Sequence, residues 1–296
     1  MLRVMRSVFK QGDFTAPDVD MHGKCVVVTG PSIGGIGFET ALGLAGFGAR
    51  LFLAARNTEK GEASAAAIKE KYPDAQVEVL KCDISDLESV RALAASLTAR
   101  SMPPVDVLVA NAGCRIIEHA VNKEGVEMTF ATCVLGHHLL TRLVAPARVV
   151  IVTGDIYCMA TGPADPFFKY GKNGADEAYQ RACLGRLLIG SETKRRAQAS
   201  GRPEVAVVHP GVVATNFMGA GRALKGVLGA ILISPTAGAQ ASIFAASCPS
   251  SIIPEDKLYF HNKIGWVKLA RDDKGSDVEA AKALFDQCDS LCGLDS

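Results

Sequence analysis

The chain has 296 residues, 48% hydrophobic and 21% charged, with 32 basic against 31 acidic side chains. That is enough apolar material for one large buried core, and the near-neutral balance leaves no polyelectrolyte surface for nucleic acid. The nine cysteines are odd in number and show no paired spacing, so they read as reduced thiols in an intracellular compartment.

Residues 1–22 read as a basic N-terminal extension. Arg3, Arg6 and Lys10 precede the first acid, Asp13, and a helix there would set the cations against Leu2, Met5 and Phe9. Such a segment suits a mitochondrial or other organelle-targeting presequence, a membrane-surface contact, or a disordered basic start in a cytoplasmic protein.

Residues 23–296 read as a single domain. From Lys24 on, "KCVVVTG", "ARLFLAA", "VEVLKCD", "VDVLVAN", "RVVIVTG" and "EVAVVHP" have the β-branched content of buried strands. They alternate with helical periodicity over Thr58 to Lys71, Leu87 to Arg100, Lys123 to Leu143 and Asp176 to Ala199. This rhythm predicts an α/β fold, a Rossmann-type doubly wound parallel sheet of about seven strands, with ligands at the carboxyl ends of the strands. Asp155 to Ala175 reads as a long loop. A second loop runs from Pro210 through Met218 into the apolar stretch Gly226 to Ile233, which is far shorter than the ~20 residues of a spanning helix. Cys288 and Cys292 lack the histidine or second pair of a zinc set, so no metal is expected.

The first strand ends in "TGPSIGGIG", Thr29 to Gly37, ahead of a helix. Glycines there let the backbone approach a pyrophosphate that the helix N-terminus attracts, which makes Gly30, Ser32, Gly35, Ile36 and Gly37 candidate cofactor contacts. The second strand ends in "LAARNTEK". A free ribose usually meets an acid at this point, but Ala55 stands there and Arg56 follows, so a 2′-phosphate and NADP(H) are expected.

With these motifs the chain resembles the short-chain dehydrogenase/reductase family, in its retinol-dehydrogenase-like and protochlorophyllide-reductase-like branch, over nearly everything from Gly23 to Cys292. "TGPSIGGIG" is similar to the family's TGxxxGxG with one residue inserted. The resemblance implies that Asp83 of "CDISD" contacts adenine, and that Asn111, Ala112 and Gly113 ("NAG") support the sheet beside the cofactor. It further implies that Pro210, Gly211 and Thr215 of "HPGVVAT" touch the nicotinamide end. His137 matches a position where the family commonly has histidine, and adjacent His138 diverges from it by about 100° around a helix, so the two do not converge on a metal.

The resemblance also exposes departures. The family uses a tyrosine, a lysine four residues later, a serine and an asparagine. Here Tyr179 is present, but Cys183 stands at the lysine position, Cys133 at the asparagine, and Gly154 or Asp155, depending on register, at the serine. A free phenol has a pKa near ~10, so about three units of activation, on the order of 4 kcal/mol, must come from elsewhere for it to ionise at neutral pH. A lost oxyanion donor costs a further factor of roughly 10² to 10³, and Asp155 at that place would repel an alkoxide. Arg186, seven residues from Tyr179, lies on its helix face and reads either as a substitute cation or as a solvated one; Arg181 points elsewhere. Tyr259 and Lys263 repeat the Tyr-x-x-x-Lys spacing but fall beside the last strand. Cys133 and Cys183 read as small apolar fillers, a redox-sensitive pair or a nucleophile.

These residues give two expectations. One is an NADP(H)-binding protein with eroded catalysis that serves a larger protein assembly. The other is an active NADPH-dependent reductase of a lipophilic carbonyl, for which neutral Tyr179 suffices as proton donor.

Overall fold

The apolar runs become the strands β1 (Cys25–Thr29), β2 (Arg50–Ala55), β3 (Val77–Lys81), β4 (Val107–Ala110), β5 (Arg148–Val152), β6 (Glu204–His209), β7 (Tyr259–His261) and β8 (Gly265–Val267). The structure is a computed structural model and describes residues 14–99, 102–171, 174–198, 201–213 and 233–294. The strands form one sheet in the order β3-β2-β1-β4-β5-β6-β7-β8. Every neighbouring pair is parallel except the β7–β8 hairpin at the edge. That hairpin supplies an eighth strand beyond the seven or so expected. Every residue of β1, β4 and β5 is buried, as both faces of a parallel sheet are covered.

The helices begin where short polar side chains cap them. Asn57 opens α2 (Thr58–Lys71), Asp86 opens α3 (Leu87–Thr98), Ser234 opens α6 (Pro235–Ser247) and Asp277 opens α7 (Val278–Leu291), each accepting from first-turn amides. In contrast, α1 (Ile36–Gly46) starts at Gly35 with no side-chain cap. Helix α4 (128–144) starts later than the expected Lys123. Residues 122–126 turn around Asn122, whose Oδ1 accepts from Glu124 N and Val126 N, and Glu127 then caps the helix. Within α4, Ala131–Leu135 is a π turn. The longest helix is α5 (Ala175–Ala197). The loop expected from Asp155 opens instead with a 3-10 turn over Asp155–Met159.

Side-chain alternation along the strands divides the core in two. Val27, Leu108 and Val149 face α3, α4, α5 and α7, whereas Val26, Val28, Val109 and Val150 face α1, α2 and α6. Each fully buried aliphatic side chain contributes about 1.5–3 kcal/mol, so this pattern fixes which face each strand turns. Residues 14–22 run along the second layer: Ala16 N donates to Gln240 Oε1 at 2.9 Å, and the Phe14 ring lies 5.5 Å from those of Phe244 and Phe260. The cations Arg3, Arg6 and Lys10, Thr215, the loop through Met218 and residues 226–232 of the apolar stretch lie outside the described residues. Because β1 sits between β2 and β4, the strand order reverses there and opens a crevice at the carboxyl ends.

Candidate active site

At the mouth of this crevice the chain leaves β1 at Thr29 and turns into α1. The turn is one residue longer than TGxxxGxG, and Gly34, at φ +78°, takes the left-handed conformation that the longer loop requires. A methyl group on Gly37 would collide with the Asn111 amide and lie 2.5 Å from Gly30 O, so only glycine lets α1 start this close to β4. Uncapped amides at the start of α1 are the donors that a pyrophosphate takes, and Ser32 and Ile36 lie on either side of Gly35. The residues present therefore fit the phosphates of a dinucleotide. Arg56 is exposed just past β2. Asp83, half-buried past β3, accepts from Ser85 N at 3.0 Å and Ser85 Oγ at 2.7 Å.

Asn111 joins the loops by donating from Nδ2 to Thr29 O at 2.8 Å and Gly30 O at 3.2 Å. Thr29 Oγ1 in turn accepts from Asn111 N and Ala112 N at 3.0 and 2.9 Å, which leaves its proton for His137 Nε2 at 2.9 Å or Val109 O at 3.3 Å. His137 Nδ1 then donates to Cys133 O at 3.2 Å. Burial, reinforced by the charge of Arg186, pushes the His137 imidazole down to about 3, so it is neutral near pH 7. Thr29 and Gly34 are site residues that motif matching passes over, although both stand inside the quoted loop.

Behind Gly113 lies the altered catalytic set. Burial first, then the neighbouring thiols, raise the Tyr179 phenol well above 10 against the pull of Arg186. Arg186 is not a solvated cation: it is 4% exposed. Its Nε donates to Cys133 O at 2.8 Å, its Nη1 to Val152 O at 2.5 Å, and its Nη2 to Ala112 O. One guanidinium thus ties α4, β5 and the NAG segment together from inside the crevice. The Cys133 thiol donates to Cys114 O at 3.8 Å, and the Cys114 thiol donates to Met128 O at 3.9 Å. The neighbouring Cys114 side chain, then the Arg186 charge, draws Cys133 below an ordinary thiol despite its burial.

The structure separates the two alternatives for the serine position. A methyl group at Gly154 would lie 3.7 Å from Cys183 Sγ, so Gly154 is the residue beside the thiol that stands in the lysine's place. Asp155 turns inward and is 3% exposed. Tyr259 donates to its Oδ1, and its Oδ2 lies 3.3 Å from His261 Nε2 and 3.8 Å from His209 Nε2. The carboxylate is therefore taken up by these three side chains. Tyr259 also proves to have a role, as a donor to Asp155 within the same core layer that Tyr179 packs against.

Asp155, His209 and His261 bring three ligand atoms within 4.8 Å of one another. Their protonation opposes a metal. His209 Nδ1 accepts from Asp155 N and His261 Nδ1 accepts from Lys263 N, so each neutral ring carries its proton on Nε2, the nitrogen that a metal would need. The arrangement is an electrostatic cage, in which Asp155 Oδ2 and His209 Nε2 face each other without a hydrogen bond. Burial alone would raise Asp155, but His261, His209 and Tyr259 bring it down to about 2, and burial pushes His209 down to about 4.

Pro210 and Gly211 follow β6 into the same crevice, where Asn262 Nδ2 donates to Pro210 O at 3.2 Å. Arg181 points away, pairing with Glu177 at 2.7 Å and stacking 4.0 Å over Phe168. His138 bonds Asp289 at 2.7 Å, far from His137's partners.

A family model described as short chain dehydrogenase matches residues 24–162. Retinol dehydrogenase 11 of Homo sapiens is 32% identical over 308 residues, covering 98% of this chain and 92% of that protein. Among solved structures, an uncharacterised protein from Mycobacterium paratuberculosis superposes with a TM-score of 0.76 at 30% identity, covering 96% of this chain and 99% of that one. L-sorbose reductase from Gluconobacter frateurii, solved with NADPH and L-sorbose, has a TM-score of 0.62 at 20% identity over 86% and 100% of the two chains, a likeness of fold alone.

Proposed function

The chain belongs to the short-chain dehydrogenase/reductase family of NAD(P)-dependent oxidoreductases, in its retinol-dehydrogenase-like branch, and from that membership we propose that it binds NADP(H) and works in the reductive direction on a lipophilic carbonyl. The carrying observation is the state of Tyr179, which is held as a neutral phenol beside the crevice. Oxidation of an alcohol needs that oxygen as a base; reduction needs only its proton, which a neutral phenol can give. Bound against the α1 amides and Arg56, NADP(H) supplies the hydride. Gly154 offers no hydroxyl to the developing alkoxide, so turnover falls below that of a complete set by a factor of roughly 10² to 10³. A retinal- or steroid-like carbonyl is the substrate class, in keeping with the relatives' branch.

NADPH consumption by the purified chain over a panel of retinal, steroid ketones and short aldehydes tests this reading. Turnover of at least one lipophilic carbonyl is expected, with Tyr179→Phe lowering it more than tenfold and NADPH affinity unchanged. Alcohol oxidation near pH 7 outpacing reduction would overturn it. Arg56→Ala should cost NADPH more than tenfold in affinity and NADH little.

A second reading is favoured by the serine position, where Gly154 lacks a hydroxyl and Asp155 is caged: a nucleotide-binding component of a protein assembly without turnover. Tight NADPH binding with no carbonyl consumed selects it.

A further inference from the structure

The buried cation of Arg186 is surrounded by thiols. Each of its named hydrogen bonds ends on a neutral carbonyl, and the groups whose charge bears on it are Cys133, Tyr179, Cys183 and Cys114. Burying a guanidinium against carbonyls alone is costly, and an anion at any of these groups would offset the penalty. Geometry selects Cys133. A methyl group added at Gly113 would lie 3.1 Å from Arg186 Nη2 and 3.5 Å from Cys133 Sγ, so cation and sulfur flank one point. Cys133 Sγ donates to Cys114 O at 3.8 Å, and Cys114 Sγ lies 3.9 Å from Met128 O, five residues before Cys133 in α4, so both sulfurs sit where the NAG segment meets that helix. Cys133 itself is 1% exposed, whereas Cys114 is half-buried at the crevice wall. A cavity of about 20 Å³ lined by Cys133, His137 and Arg186 has room for one molecule the size of water.

We propose that Cys133 and Cys114 form a dithiol that hydrogen peroxide oxidises to a disulfide, with Arg186 as the cation that favours the reactive Cys133 thiolate. The thiolate attacks the peroxide: an S–O bond forms, the O–O bond breaks, and hydroxide leaves as water with a proton from solvent. Cys114 then attacks the sulfenic sulfur of Cys133. The S–S bond forms, the S–O bond breaks, and a second water carries away the Cys114 proton. Two electrons pass from the two sulfurs to the peroxide, and each thiol loses one hydrogen. The product links the end of the NAG segment to the π turn of α4. Bulky thiol reagents are excluded by depth, whereas a peroxide is small enough to enter. The site depends on neither turnover nor cofactor affinity.

Its test is mass spectrometry of the full chain after stepwise addition of hydrogen peroxide. Trypsin cuts after Arg115 and Lys123, so linked peptides carrying Cys114 and Cys133 separate on reduction. The link is expected at least tenfold faster than oxidation of Cys82, which burial pushes up to about 12. Cys114→Ser should leave a Cys133 sulfenic acid, read as one added oxygen on the peptide that carries Cys133, and Arg186→Lys should retain more of the rate than Arg186→Met. Peroxide that leaves Cys133 reduced while other thiols oxidise would overturn the proposal, as would equal rates at Cys133 and Cys82 in the unaltered chain, a comparison that does not depend on any variant folding.

Discussion

Replacing one residue of a catalytic set changes what its neighbours can tolerate, and Arg186 shows this most directly. Its guanidinium reaches carbonyls at Cys133, Val152 and Ala112, beside the space that an ammonium at position 183 would enter. Cys183→Lys alone would set a second buried cation against the first, with no carboxylate to divide them. An uncompensated buried charge costs several kcal/mol, so this variant should melt well below the parent and gain no alcohol oxidation. Cys183→Lys combined with Arg186→Gln and Gly154→Ser removes the repulsion and returns the hydroxyl. Gly154 has φ −124° and ψ 143°, a backbone open to any residue. The triple variant should oxidise retinol-like alcohols at least tenfold faster than the single one. Equal rates in the two would show that Arg186 does not stand in the lysine's way.

Elements meet in the cage around Asp155, which joins the carboxyl end of β5 to those of β6 and β7 through His209, His261 and Tyr259. Asp155→Asn keeps the shape but removes the charge that these donors face. It should lower stability by about 1–3 kcal/mol in urea melts while leaving NADPH affinity within twofold, because the caged side chains are buried beneath the surface a cofactor would touch. A large loss of NADPH affinity with no change in stability would contradict that placement. The strands and most helices were legible in the sequence because each is a local pattern: an apolar run of four to six residues, or a cap ahead of a periodic stretch. The glycine loop and "NAG" were legible for the same reason, since each motif is contiguous. The cage was not, as Asp155, His209, Tyr259 and His261 come from three separate segments that only the strand order brings together. Arg186 lay in plain view on the face of Tyr179, but its burial depends on three carbonyls from other segments. The three-residue strand β8 and the π turn in α4 are too short to carry a periodic signal.

For the whole molecule, the same burial that shapes the site sets how the fold responds to acid. His209 and His137 are pushed by burial to about 4 and about 3 from an ordinary value of 6.5. Around His209 stand Asp155, His261 and Lys263; around His137 stands the Arg186 cation. Above pH 6.5 both imidazoles are neutral whether the chain is folded or unfolded, so they contribute no pH dependence. Between 6.5 and 4 the unfolded chain takes up their protons and the folded chain does not, so stability rises with pH and is lost on acidification. Asp155 acts in a different window, because its folded value of about 2 lies below the ordinary 3.8. Its contribution is complete above that ordinary value and disappears only as the pH falls towards 2. From pH 6 to pH 4.5 the histidines therefore govern; His138 is lowered by burial as well, so at least the two protons of His137 and His209 are bound only by the unfolded chain, for a slope of about 2.7 kcal/mol per pH unit or more. Urea melts at pH 7, 6, 5 and 4.5 should show that decline. His209→Asn should reduce the slope by about one proton, near 1.4 kcal/mol per unit, whatever its effect at pH 7. A stability flat from pH 7 to pH 4.5 would mean that the imidazoles at the base of this crevice are not held neutral by burial.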